Sequence, residues 1–326
     1  MVSVREAQLR DLSGIGKLHR RASESQARLD PRLAPEPEDS ERSAKALQTT
    51  VGGSSGIAFV AEESDTGALL GFATGKIVDN KPFAHPEFGH VSCLHVDEVC
   101  RGEGVGDSLW RAVDDWFRRE GVAVAQVDVP HCNPILRRFW QDRGFSGFLD
   151  HLCCEARVEL TKDDDTPVSV RGARSGDADS VLSLWEEMMD YHAPIDERLR
   201  VGANWRRHVA RATWQWLTRS RTRLLVAEVG DDVVGFAVGG LVDSGLGLKP
   251  GLYGHIAHMC VNEQWRRRGV GRQLFASLRD SFVEWGVSSI HVYVSQFNSV
   301  SQHFWRSLGF EEYIERLWCD LAPRRS

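Results

Sequence analysis

Anion-binding chemistry is the first suggestion of this sequence. Arg101-Gly-Glu-Gly104-Val-Gly106 and Arg266-Arg-Arg-Gly269-Val-Gly271 each follow an apolar, strand-like run and open an amphipathic, helix-like one. Glycines at a helix entry let backbone N–H groups converge on an anion with no Cβ in the way, and the helix dipole adds a favourable field. Such a turn cradles phosphate. Neither copy ends in the Gly-Lys-Ser/Thr of a nucleoside-triphosphate loop, and the Gly-x-Gly-x-x-Gly spacing of a dinucleotide fold is absent. A single turn of this kind could be no more than a tight connection, but two in register, both led by Arg, argue for use. Their charges differ. Across residues 98–107, Glu98, Arg101, Glu103 and Asp107 give −2, whereas across residues 263–272, Glu263, Arg266, Arg267, Arg268 and Arg272 give +3.

The turns belong to a longer repeat. Val2-Ser-Val-Arg5 returns as Val168-Ser-Val-Arg171 and Leu29-Asp-Pro-Arg-Leu33 as Ile195-Asp-Glu-Arg-Leu199, both 166 residues later. Gly71-Phe-Ala73 returns as Gly235-Phe-Ala237 at an offset of 164, and from Gly89-His90 and Gly254-His255 onward the offset holds at 165 through Gly144-Phe145 and Gly309-Phe310. Register kept over that length indicates one unit of about 160 residues present twice, a whole domain rather than a solenoid repeat. Domains at 1–160 and 168–326 follow, joined by a solvated linker at 161–167 that includes Asp163, Asp164, Asp165 and Pro167.

Each unit reads as a mixed α/β sheet. In the first, a strand over Val2–Ala7 precedes helices around Asp11–Ser25 and Pro37–Thr50, and Ile57–Glu62 with Leu69–Val78 forms a hairpin. Val91–Val96 runs into the glycine turn, and Val105, Leu109, Val113, Trp116 and Phe117 share one face of the next helix. A strand over Val122–Val129, a helix over Pro134–Arg143 and two last strands within Phe145–Leu160 complete the unit. The second repeats the plan, with Val287–Val294 as the late strand and Ser299–Leu308 as the late helix.

The stretch Val96 to Gly106, followed by Asn133-x-x-Leu136-x-x-Phe139-Trp140-x-x-x-Gly144-Phe145, resembles the two signature motifs of the GNAT superfamily of N-acetyltransferases. Val261 to Gly271, followed by Asn298-x-x-Ser301-x-x-Phe304-Trp305-x-x-x-Gly309-Phe310, resembles them equally. The resemblance covers nearly the whole chain and implies two tandem GNAT acyl-CoA N-acyltransferase domains. It implies that Arg101, Gly104 and Gly106, or Arg266, Arg267, Arg268, Gly269, Val270 and Gly271, hold the pyrophosphate of acetyl-CoA. It implies that the backbone of Leu94-His95-Val96 or Met259-Cys260-Val261 pairs with the pantetheine arm, assisted by Asn133 or Asn298. The backbone amide at Leu94 or Met259 would polarise the thioester carbonyl.

A base in the family often stands four residues before that triplet, which is His90 or His255 here. An imidazole with an unperturbed pKa near ~6.5 suits removal of a proton from an ammonium, directly or through water; a strand-edge histidine bonded to a backbone carbonyl is the structural alternative. Glu62 and Glu228, at strand ends, are alternative bases. His258 shares a face with His255 only if a β-bulge intervenes. Where the family's general acid is Tyr, this chain has Trp140 and Trp305, which implies unassisted or water-assisted departure of the thiolate and packing of the indoles against cofactor or core. Glu186, Glu187, Asp190 and Asp196 fall where the acceptor should lie and would favour a cation, although a solvated acidic helix face explains them as well; the Leu29–Leu33 and Ile195–Leu199 segments read as structural, fixing the turn between the two helices. The resemblance implies direct acetyl transfer to the primary amine of a small molecule, without an acyl-enzyme; the charge of +3 at the second turn against −2 at the first assigns the main site to the C-terminal domain. The alternative is an acyl-CoA-binding regulator that does not turn over.

Composition narrows the partners. The 326 residues are 42% hydrophobic and 26% charged, as in ordinary globular chains. A net charge of −6 opposes a general nucleic-acid binder. No apolar run approaches the ~20 residues of a membrane span, and charges near Met1–Arg10 oppose a signal peptide, so a soluble, cytoplasmic protein is expected. Seven cysteines, with Cys153 and Cys154 adjacent, suggest free thiols and no metal motif.

Overall fold

The computed structural model describes residues 2–34, 39–53, 56–158, 168–243 and 252–321; the expected linker lies outside them. In the first half, β1 (Val2–Glu6), α1 (Leu12–Leu29) and α2 (Asp39–Gly52) precede β2 (Gly56–Glu63), β3 (Leu69–Asp79) and β4 (Glu87–Val96). Then come α3 (Val105–Arg119), β5 (Val124–Pro130), α4 (Pro134–Gln141) and β6 (Ser146–Glu155). The second half repeats this as β7 (Ser169–Gly172), α5 (Ala178–His192), α6 (Trp205–Thr218), β8 (Thr222–Val229), β9 (Asp232–Asp243) and β10 (Leu252–Val261), then α7 (Val270–Glu284), β11 (Ser289–Ser295), α8 (Ser299–Arg306) and β12 (Glu311–Asp320).

The strands form one sheet of twelve, in the order β1-β2-β3-β4-β5-β12-β6-β11-β10-β9-β8-β7. Among the described residues, only β4–β5 and β10–β11 are parallel. Where two strands were expected after α4, each half has one, and the two are exchanged: β12 pairs with β5 of the first half, and β6 pairs with β11 of the second. Trp318 opposite Gln126 recurs as Cys153 opposite His291, both partners displaced by 165, so the duplication includes the exchange. Structurally, the first unit therefore contains residues 311–320 and lends 146–155 to the second. The reason is a vacant place: ten residues after α4 supply one strand, and β5 and β11 both need a neighbour.

The repeated short motifs hold this plan in place. Arg5 donates to Glu62 of β2 at 2.6 Å and to Asp11 at 2.7 Å, stapling the first strand to the helix entry. Arg171 makes the same contacts with Glu228 and Asp177. The Leu29–Leu33 repeat clasps the exchanged strands. Arg32 is fixed by Asp30 at 2.8 Å and donates to the Glu312 carbonyl of β12 at 2.8 Å; Arg198 is fixed by Asp196 at 2.8 Å and donates to the Gly147 carbonyl of β6 at 3.0 Å. Carboxylate-locked guanidinium groups lose little freedom on bonding a carbonyl, which explains why Asp and Arg recur here while the residue between them varies.

Helices cover both faces. Leu109, Val113 and Phe117 of α3 are fully buried against β2–β4, and Leu274, Leu278 and Phe282 of α7 against β8–β10. Gly89 and Gly254 let Phe117 and Phe282 lie on the strand, since a Cβ there would meet the rings at 2.6 Å and 2.7 Å. The seven cysteines are all unbridged.

Candidate acyl-transfer sites

Both sites form where a parallel pair of strands comes apart. β4 pairs with β5 only over Gly89–Val91, and β10 with β11 only over Gly254–Ile256. Beyond those residues the edges carrying Leu94–Val96 and Met259–Val261 have no strand on that side, leaving backbone groups for an extended arm. The register of β4 against β3 shifts at Ser92, and that of β10 against β9 at Ala257. This bulge turns His258 to the face of His255: the His258 ring lies 6.1 Å from that of Trp185 in α5 and 5.5 Å from that of Trp216 in α6.

At the end of each edge sits the glycine turn. Gly104 (φ 79°) and Gly269 (φ 80°) cap α3 and α7 in the left-handed region. The first four N–H groups of a helix lack intrahelical partners; Gln273 N–H donates to Gly269 O, so the N–H groups just before it remain for a ligand. A Cβ at Gly102 or Gly104 would meet nothing within 4 Å, so the turn is open on that side. Gly106 and Gly271 serve packing instead, facing Phe139 at 3.1 Å and Phe304 at 3.3 Å. The Val270 side chain is core.

The two turns are not equally built. Arg266 donates to the Val261 carbonyl and to Glu187 of α5, both at 3.0 Å, and Glu187 also accepts from Asn262 and from the Glu263 N–H. Arg101 reaches Val96 O at 3.4 Å and the exposed Glu98 at 3.6 Å. Arg267 has φ 63° where the first copy has Gly102. A side chain in that region costs ~1–2 kcal/mol, so a cation there is retained against backbone preference. In the first copy Asp107 of α3 is instead paired with Arg143.

Several expected site residues take other roles. Glu228 is bound to Arg171 at the far end of β8, six residues from the position in register with His255, roughly 20 Å along the strand; it leaves the set of bases, and Glu62 with Arg5 does the same. Trp140 and Trp305 are 1% and 4% exposed, edge-on to Phe145 and Phe310, so both belong to the core and Trp305 leaves the cofactor set. Of the acidic group, Glu187 anchors the turn, Glu186 pairs with Arg206 and Asp196 with Arg198, which leaves the exposed Asp190 as the remaining member of the expected cation site. Asn133 and Asn298 cap α4 and α8 through their side-chain oxygens; Asn298 also donates to His192 Nε2 at 3.1 Å, a tautomer consistent with His192 Nδ1 against the Met188 carbonyl at 2.7 Å.

The expected bases differ in setting. His90 Nε2 lies 3.3 Å from Asp128 Oδ2, and its Nδ1 lies 3.3 Å from Ser92 Oγ. Asp128 is held by Arg316 of the exchanged β12 through bonds of 2.7 and 2.8 Å, and Arg316 also reaches Tyr293 Oη at 2.8 Å. His255 faces the Tyr293 ring at 5.6 Å, and its Nε2 is buried with no partner among the described residues. Burial, then the Arg316 charge, push the His255 pKa down to about 4. Asp128, Arg316, Tyr293 and His192 escaped the sequence reading. For the first three the signal available was a polar residue within an apolar strand run; His192, at the end of α5, carried none.

Burial likewise brings His95 and His258 down to about 4. These histidines are neutral when folded and titrate near ~6.5 when unfolded, so protons are taken up on unfolding. Stability is fully present above pH ~6.5 and is lost as pH falls toward about 4. Urea unfolding at pH 7.5 and pH 5 should differ by about 2 kcal/mol or more; equal stability at both would show that these side chains are solvated.

The sequence profile of the Acetyltransferase (GNAT) family matches residues 23–145 and again 183–310. The chain belongs to this family, in tandem form. A GCN5-related N-acetyltransferase from Sphaerobacter thermophilus superposes with TM-score 0.66 at 14% identity, covering 99% of this chain and 96% of that one. A tandem GNAT protein from the clavulanic acid biosynthesis pathway gives 0.61 at 14% identity, covering 100% of both. These likenesses establish the fold. No curated protein sequence matches. Among the described residues, no helix is long and apolar enough to cross a membrane.

Proposed function

We propose that this tandem GNAT protein is an acetyl-CoA-dependent N-acetyltransferase for the primary amine of a small molecule, acting in the cytoplasm, with its main site in the C-terminal copy. The supporting observation is the Arg266–Arg268 turn, in which Glu187 fixes Arg266 and Arg267 is kept at positive φ. Such a turn fits a pyrophosphate: open N–H groups at a helix entry, with cations around them. Acetyl-CoA would supply the acyl group as a thioester. The open edge at Met259–Val261 would hold its arm, and the Met259 amide would face the carbonyl oxygen as charge develops there. His255, neutral at pH 7 and with no partner for Nε2 among the described residues, would take the proton that the amine nitrogen gives up as its bond to the acetyl carbon forms, directly or through water. Positioning of amine and thioester carries most of the rate in a direct attack.

Thiol release from acetyl-CoA with a panel of primary amines tests this reading. Amine-dependent release, with acetyl recovered on the amine, is the expected result. Acetyl-CoA binding with no release for any amine would favour the regulatory alternative, in keeping with two copies whose second motif has Trp in place of Tyr.

A further inference from the structure

The first copy contains a set of side chains that its sister lacks. On one face of the sheet, Ser92 Oγ lies 3.3 Å from His90 Nδ1, and His90 Nε2 lies 3.3 Å from Asp128 Oδ2. Nucleophile, base and orienting carboxylate thus stand in series. The matching positions in the second copy are Ala257, His255 and Tyr293, which can form no such series. The carboxylate is fixed by Arg316 with one bond to each oxygen, so it is free neither to rotate nor to accept a proton readily. Burial alone would raise the Asp128 pKa, but the Arg316 contacts more than reverse this and hold it well below the usual range. An ionised Asp128 accepts from His90 Nε2–H, which leaves the Nδ1 lone pair for the serine hydroxyl. Burial lowers the His90 pKa, so the imidazole is neutral, the form a base requires.

Ser92 occupies the bulge of β4, at the mouth of the open edge beyond Val91. We propose that the N-terminal copy is an acyl-accepting site, in which Ser92 is acylated by a short acyl thioester or ester and then hydrolysed. His90 Nδ1 takes the hydroxyl proton as Oγ bonds to the carbonyl carbon. The C–S or C–O bond breaks, and the imidazolium returns that proton to the departing thiolate or alkoxide. Water, deprotonated by His90, then attacks acyl-Ser92 and releases a carboxylic acid, with Oγ regaining its proton. Thioester plus water thus becomes acid plus thiol, with no other reactant. Asp128 and Arg316 are positioning residues. The reaction needs no amine and no basic pyrophosphate turn, so it stands apart from the function proposed for the C-terminal copy.

The test incubates the full chain with 4-nitrophenyl acetate, and separately with acetyl-CoA, under acid quench, followed by peptide mass mapping. An acetyl group on Ser92 and release of nitrophenol are expected. Ser92→Ala should abolish both; since Ala occupies the same bulge in the second copy, this variant should keep the wild-type melting curve. Asp128→Asn should slow nitrophenol release by ~10²-fold or more and shift its pH profile, which a purely structural carboxylate would not do. Absence of acetyl on Ser92 in every quenched sample, or equal release by Ser92→Ala, overturns the proposal. Amine acetylation in Ser92→Ala is scored separately, so failure here is distinguishable from failure of the C-terminal reading.

Discussion

Residues 1–160 expressed alone should yield no folded monomer. In the full chain β12 lies between β5 and β6, and it buries Tyr313, Ile314, Leu317 and Trp318 at 6% exposure or less. Without it, β5 presents an unpaired, apolar edge, which favours aggregation or pairing with a second copy. Loss of even one such side chain costs ~2–5 kcal/mol, a large share of a domain's usual 5–15 kcal/mol. The expected outcome is an unfolded fragment, or a homodimer in which two β6 strands reproduce the exchange. Mixing it with 168–326 should restore a single cooperative unfolding transition. Sedimentation and circular dichroism read the result; a stable monomer with native-like spectra would contradict the exchanged sheet.

A His255→Ala change should lower kcat/KM by roughly 10²-fold or more once an acceptor amine is in hand. The sign of the pH effect follows from burial. With its pKa near 4, His255 stays unprotonated at pH 6, so the acidic limb of the wild-type profile should lie well below ~6.5 until acid unfolding intervenes. The Ala variant should lose that limb. Unchanged kinetics would assign proton removal to water alone, because Glu228 is bound to Arg171 at the other end of its strand.

Much of this was legible in residue order. The repeat, the glycine turns and the paired strands follow from spacing and local chemistry, the bulge beside His255 from the family resemblance alone, and most element bounds agree within a few residues. The exchange was not legible, because β6 and β12 are equivalent strands and either could fill the place beside β5; which one does depends on contacts between the halves. The same ambiguity concealed Arg316, whose role exists only once β12 lies beside Asp128. The acidic residues were legible only as alternatives: Glu186 and Glu187 suit a cation site or a solvated helix face by proximity in sequence, and the structure pairs each with a different arginine, while Asp196 fixes Arg198 in the turn, the structural role its segment suggests. Trp305 was read at the cofactor from its motif position, whereas the helix it lies on turns it into the core.

Acetyl-CoA should be held by the C-terminal turn. Within residues 98–107 and 263–272 the two turns differ by five charges; with Arg143 beside Asp107 and Glu187 beside Arg266 three remain, and at ~0.3–1 kcal/mol for each exposed charge near a helix entry this amounts to roughly one to two tenfold steps in affinity. Calorimetric titration with acetyl-CoA of the wild type, Arg266→Ala and Arg101→Ala measures it most directly. Arg266→Ala should lose the tight site and most activity, while Arg101→Ala should keep both. A tight site that survives in Arg266→Ala and is lost in Arg101→Ala would place acetyl-CoA in the N-terminal copy instead.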